Sequence, residues 1–182
     1  SNGSLRLVGD KVTHCRQRLQ QETLGRRGRK NDPLYQVRRL LLTRNKLLSE
    51  TAAPKVDAIL QDPQYEALTR LWTIYQAVIA AYESPNRKKG RNNLAALIDA
   101  LGAINTKGFP ELRSVARTLR NRRDDILAYF THPHSSNGPT EAINGRLEHL
   151  RGIALGFRNL QNYIHRSLLH TGGFKHHLQP LL

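Results

Sequence analysis

The chain has 182 residues, with 29 Lys and Arg against 14 Asp and Glu, for a formal net charge of +15 and a sequence pI near 10.8. That length suits one domain able to bury a core, and the charge points to a polyanionic partner, nucleic acid first, through phosphate neutralisation and counterion release. The single cysteine, Cys15, excludes an internal disulfide framework, no apolar run approaches the roughly 20 residues of a membrane span, and no glycine-rich nucleotide fingerprint is present.

The chain opens SNGS and contains no Met, so residues 1–3 read as a tag-removal scar and are set aside. After Leu5, Leu7 and Val8, Asp10 is read as the N-cap of a first helix, DKVTHCRQRLQ. A basic run follows, Arg26, Arg27, Arg29 and Lys30, with Gly25 and Gly28 keeping the backbone pliable. Asp32 and Pro33 then open a second helix in which Leu34, Val37, Leu40 and Leu41 align, running on toward Leu48. Ala53 to Gln61 makes a short third helix. Asp62 and Pro63 supply a cap and first-turn proline for a long fourth, where Leu68, Leu71, Trp72, Tyr75, Val78, Ile79 and Tyr82 form a broad apolar face. At helical spacing among Leu and Ile, Trp72 and the tyrosines are read as the centre of the core rather than as base-stacking platforms.

A second basic cluster, Arg87, Lys88, Lys89 and Arg91, sits between helical patterns, with Gly90 keeping the backbone pliable. The fifth helix carries Leu94, Leu97, Ile98 and Leu101 and ends near Gly102; Pro110 opens a sixth. In the sixth, Leu112, Val115, Ala116, Leu119, Arg123, Ile126, Leu127 and Phe130 trace one face until THPHSSNGP breaks it. Arg113, Arg117, Arg120, Arg122 and Arg123 form a third basic cluster along it, and Asp124 and Asp125 are expected to pair with Arg120, Arg122 or neighbouring arginines. Each cluster taken singly is as well explained by solvated loops or faces as by DNA contact. Eight histidines fall into no Cys/His spacing with zinc geometry. The expected fold is all-α, an irregular helical bundle with short connections.

The last segments hold the most specific pattern. Ser136, Asn137 and Gly138 are turn residues, Pro139 suits a first helical turn, and Ile143, Leu147, Leu150 and Ala154 recur at spacings of four, three and four. Glu141, Asn144, Gly145 and Glu148 share another face of this helix. An acid in a first turn is favoured by the helix macrodipole, by about 0.3–1 kcal/mol, and that alone would explain Glu141. Gly152, Gly156 and the GFRN turn then lead to a last helix from about Asn159 to His170.

The run NGPTEAINGRLEHLR, followed by GFRN and NYIHR, resembles the C-terminal signature of bacterial insertion-sequence transposases of the DDE type, the ISL-three group. The likeness continues upstream through CRQRLQQETLGRRGRKNDPLYQVRRLLL and covers nearly the whole chain. By that resemblance Glu141 is the last of three metal-binding carboxylates of an RNase H-like core. The chemistry implied is two-metal phosphoryl transfer, with Mg²⁺ or Mn²⁺ ions held by carboxylates, cutting and joining DNA ends. Asn144 is then placed to bond a phosphate or orient Glu141, and Arg146, Arg151 and Arg158 to clamp the DNA backbone, although a solvent-facing helix and turn explain these positions equally well.

The family's two aspartates lie on strands, and no run in this chain reads as such a strand. The resemblance therefore implies a fragment: a helical insertion region over 4–134, and a C-terminal part over 135–182 carrying the Glu helix, without the sheet. Such a fragment is expected to be inactive alone and to carry no bound metal. Its expected partner is DNA, as transposon ends, in the bacterial cytoplasm, with no membrane and with assembly into oligomers in the full-length protein. The alternative is a basic helical module for nucleic-acid or protein interaction with no chemistry of its own.

Overall fold

The computed structural model describes residues 3–131, and among them the regular elements are helices and single 3-10 turns, with no strand. The all-α class expected from the periodicity is what these residues adopt.

The first helix, α1, spans Gly3–Leu24. Val8, Val12, Cys15 and Leu19 recur every three or four residues on its buried side, and Leu5 extends the stripe upstream by packing on the same core. Asp10 therefore lies inside the helix on its exposed side, which corrects its reading as an N-cap. Starting the helix at Asp10 would forfeit a turn of apolar contact. Burial, and then the Glu111 charge, push the Cys15 thiol up to about 12. In the native chain at pH 8, Cys15 should resist iodoacetamide and become labelled only as the chain unfolds; labelling at the rate of a free thiol would contradict that burial.

The second expected helix is largely replaced by turns. Helix α2 covers only Pro33–Gln36, followed by 3-10 turns at Leu40–Leu42 and Asn45–Leu47. Leu34, Val37 and Leu41 are buried as the pattern requires. The main chain after them is taken over by side chains of a later core helix: Tyr75 donates to the Leu42 carbonyl at 3.2 Å, Gln76 donates to the Thr43 carbonyl at 3.0 Å, and the Asn45 N–H donates to Gln76 Oε1 at 3.1 Å. Those bonds replace helical i→i+4 bonds, and Thr43 and Arg44 turn extended.

Helix α3 spans Ala53–Gln61. Asp62 then caps a 3-10 turn at Pro63–Tyr65, accepting the Gln64 N–H at 3.1 Å, before α4 spans Glu66–Tyr82. Leu68, Leu71, Trp72, Ile74 and Val78 on α4 are completely buried, and α4 packs between α1 and the next long helix. Trp72 is thus a core side chain. Arg70 is buried with them: its guanidinium stacks 4.2 Å over the Phe109 ring and bonds Glu66 at 3.3 Å and the Asn105 carbonyl at 3.4 Å, tying α4 to the loop before the sixth helix.

Helix α5 spans Arg87–Leu101, so the second basic cluster lies in its first turns rather than in a loop. Asn86 supplies the reason, accepting the Lys89 N–H at 3.0 Å as an N-cap. Gly90 is a point of close approach between α4 and α5: a Cβ there would stand 2.4 Å from the Ala81 carbonyl oxygen and 3.0 Å from Ser84 Cβ. The expectation that Gly90 supplies pliability is replaced by a packing requirement. Gly90→Ala should lower stability by about 1–3 kcal/mol; an unchanged urea midpoint would show that the two helices do not meet at that residue.

The sixth expected helix is two. Helix α6 spans Pro110–Asn121 and α7 spans Arg123–Ala128, separated by Arg122, whose φ of −105° and ψ of 17° leave the helical region. The break turns Ile126, Leu127 and Phe130 onto α5 and the end of α4, where Phe130 stacks on Tyr82 at 5.4 Å. Arg123, expected on the buried face, instead pairs with Asp99 at 3.0 Å on the surface. Asp124 and Asp125 are exposed in the first turn of α7, and among the described residues no ion pair joins them to Arg120 or Arg122. Across the bundle Arg18 grips Glu111 with two bonds of 2.7 and 3.0 Å, joining α1 to the start of α6. Burial raises the Glu111 carboxyl, but the Arg18 bond, a main-chain N–H bond and the Arg18 and Lys11 charges together outweigh it and leave the group below its ordinary value.

Candidate nucleic-acid interface

Some of the cations are held by carboxylates, and others face water. Arg18, Arg26, Arg44, Lys46, Arg70 and Arg123 all have carboxylate partners. Among the other cations, three groups fall in the clusters read from the sequence.

The first is the loop over residues 25–32. Gly25 ends α1 with φ of +66°, its N–H donating to the Gln21 carbonyl at 2.9 Å. Asp32 closes the loop from the other side. Arg26 holds both its oxygens at 2.7 and 3.0 Å, and the Arg29 N–H donates to it at 2.5 Å. Asp32 therefore makes no side-chain cap bond to α2, because a forked charge-assisted pair outcompetes a neutral cap. The Arg26 bond, then the Arg29 N–H, hold the Asp32 carboxyl below its ordinary range. Of the four basic residues singled out here by sequence, Arg26 thus serves to shape the loop, and Arg27, Arg29 and Lys30 are exposed without a carboxylate partner among the described residues.

The second place is the start of α5. Arg87 points back into the fold, donating to the carbonyls of Tyr129 at 2.5 Å and Phe130 at 3.2 Å. Lys88 and Lys89 are exposed. Cations at a helix N-terminus oppose the macrodipole, at about 0.3–1 kcal/mol each, so this sequence keeps an arrangement that helix stability alone disfavours.

The third is the outer face of α6. Leu112, Val115, Ala116 and Leu119 are buried, while Arg113, Arg117 and Arg120 stand exposed at spacings of four and three. At about 1.5 Å rise per residue the row extends about 10 Å, close to three phosphate steps of one DNA strand at about 3.4 Å each. None of the three has a carboxylate partner among the described residues.

A family model described as a transposase, of the DDE type and the ISL-three group, matches residues 5–167. The chain belongs to this transposase family. No curated protein and no solved structure matches it. The three cationic surfaces are therefore surfaces of a transposase chain, whose substrate class is DNA. Among the described residues no group of three or more His, Cys, Asp or Glu is placed to hold a metal ion, and no helix is long and apolar enough to cross a membrane. Glu141, Asn144, Arg146, Arg151 and Arg158 fall within the matched stretch but outside the described residues.

Sequence reasoning found the α6 arginines as part of a cluster without separating them from Arg122 and Arg123. The separating signal was present: only Arg113, Arg117 and Arg120 keep helical spacing opposite the Leu112, Val115, Ala116, Leu119 stripe.

Proposed function

We propose that this chain is the part of a DDE transposase that grips DNA along cationic helical surfaces and contributes one metal-binding carboxylate, Glu141, to phosphodiester cleavage and strand transfer. The observation that carries the DNA-gripping role is the α6 row, three exposed arginines with no carboxylate partner among the described residues, aligned along one helix face. Arg27, Arg29 and Lys30 on the 25–32 loop, and Lys88 and Lys89 on α5, add positive potential of the kind that draws in a polyanion. Phosphate contacts of this sort fix position and affinity without reading base sequence. Choice of transposon ends is therefore assigned to other contacts.

The described residues contain no carboxylate cluster that fits a pair of divalent ions. The metal-binding role accordingly rests on the resemblance of the Glu141 segment and on its inclusion in the family match. Bound Mg²⁺ or Mn²⁺ would supply Lewis-acid activation at the phosphodiester, and oxygen donors suit such hard ions. Asn144 is proposed to orient Glu141 or bond a phosphate, and Arg146, Arg151 and Arg158 to contact the DNA backbone. The working protein is proposed to act as an oligomer in the bacterial cytoplasm.

Metal removal tests the reading. The full-length transposase should cut and join transposon ends with Mg²⁺, lose that activity in EDTA and regain it with added Mg²⁺ or Mn²⁺. Undiminished strand transfer in EDTA would reject metal-dependent chemistry while leaving DNA gripping to be judged by its own measurements.

A further inference from the structure

One cation is buried without a counter-charge. Arg16 on α1 is only 7% exposed, donates to Gln20 Oε1 one turn on, and has no carboxylate partner among the described residues. A second cation, Arg38, lies near enough for its charge to act on Arg16. Arg38, arriving from the segment after α2, stacks 4.0 Å above the Tyr35 ring and donates to the Tyr35 carbonyl at 2.9 Å. Burial first, and then the Arg38 charge, weaken Arg16's hold on its proton.

The third group is an unsatisfied donor. Gln20 is 1% exposed, and its Nε2 finds no acceptor among the described residues. The 25–32 loop lies directly over it: a Cβ on Gly28 would fall 1.8 Å from Gln20 Nε2. A buried cation without a counter-ion and a buried amide without an acceptor are each costly. A single anion relieves both.

We infer that the place where α1, the Gly28 loop and the Tyr35–Arg38 segment meet is a binding site for a phosphate group, held by Arg16, Arg38 and the Gln20 amide. Arginine forks match the oxygens of a tetrahedral phosphate. Tyr35 and Arg38 are half-buried, and Arg16 and Gln20 are buried. The site uses neither Glu141 nor the α6 row, and goes beyond the proposed role of those residues. The phosphate is either part of a nucleic-acid backbone or a free inorganic ion.

The test is an NMR titration of the 182-residue chain at constant ionic strength, following the Gln20 side-chain amide and the Arg16 Nε–H with inorganic phosphate in one series and duplex DNA in another. The site predicts saturable shifts at both groups. They should be lost in Arg38→Gln, weakened at least about fivefold in Gln20→Leu, and kept in Arg117→Gln; removing one charge-assisted bond has effects of that order. Response to DNA at much lower concentration than to inorganic phosphate identifies the backbone as the source, and response to inorganic phosphate alone identifies the free ion. Absence of any shift in both series overturns the inference, as do shifts that survive in Arg38→Gln. Arg38 is half-buried and outside the helical core, so that variant should fold, and an unchanged circular dichroism spectrum checks that it does. A loss of DNA affinity in Arg117→Gln with Gln20 still responding to phosphate separates this site from the α6 row.

Discussion

Replacing Glu141 by Gln in the full-length transposase is expected to reduce Mg²⁺-dependent cleavage and strand transfer by about 10³-fold or more, while transposon ends still bind within about twofold. Glutamine keeps the size of the side chain and one carbonyl oxygen but removes the negative charge, and a hard divalent ion depends on that charge. DNA affinity is assigned to the cationic surfaces, so binding and chemistry should separate in this one variant. Strand transfer within tenfold of the wild type would remove Glu141 from the metal site. It would favour the alternative of a basic helical module that binds without chemistry.

The second large effect is expected on α6. Changing Arg113, Arg117 and Arg120 together to Gln should weaken duplex binding by about 10²-fold near 0.1 M salt, since each neutralised phosphate contributes close to one power of salt concentration. Folding should survive the triple change. The three side chains are exposed, carry no ion pair among the described residues, and leave Leu112, Val115, Ala116 and Leu119 untouched beneath them. Surface changes of this kind stay within about 0.5 kcal/mol in stability. A fully folded triple variant with wild-type affinity would mean that the row faces water in the complex, and would leave the 25–32 loop and the start of α5 as the DNA contacts.

Where local rules sufficed, the elements were legible in the sequence. Pro54, close to the start of α3, and the Asp62–Pro63 pair at its end mark that helix and the turn into α4, and the broad apolar face of α4 marks it as the centre of the core. Where tertiary partners decide, the same rules failed. Leu34, Val37 and Leu41 are buried as helical spacing demands, yet Tyr75 and Gln76 of α4 claim the backbone that would have continued the helix. Asp32 looked like a cap until a neighbouring arginine took both its oxygens. Likewise Asp10, a plausible cap by type, sits mid-helix because Leu5 extends the buried stripe past it.

The candidate surfaces were legible as charge but not as geometry. Counting basic residues brings out all three clusters, yet it cannot show that Arg26 is spent on Asp32 and Arg87 on carbonyls of the Tyr129–Thr131 turn. Arg16 and Gln20 carried a signal that went unread. Both fall within the stripe set by Val12, Cys15 and Leu19, where a charge and an amide have no business unless something answers them. The proposed role of Glu141 rests on family resemblance alone, because an acid expected in a first helical turn is equally well explained by the macrodipole.

The measurement that bears most directly on DNA gripping is the salt dependence of duplex binding by wild-type chain and by the Arg113, Arg117, Arg120 triple Gln variant. If the row lies along a phosphate backbone, the slope of log K against log salt concentration should become shallower by about 2.7 in the variant. Parallel lines for the two proteins would contradict it, since they would show that no phosphate is neutralised by α6.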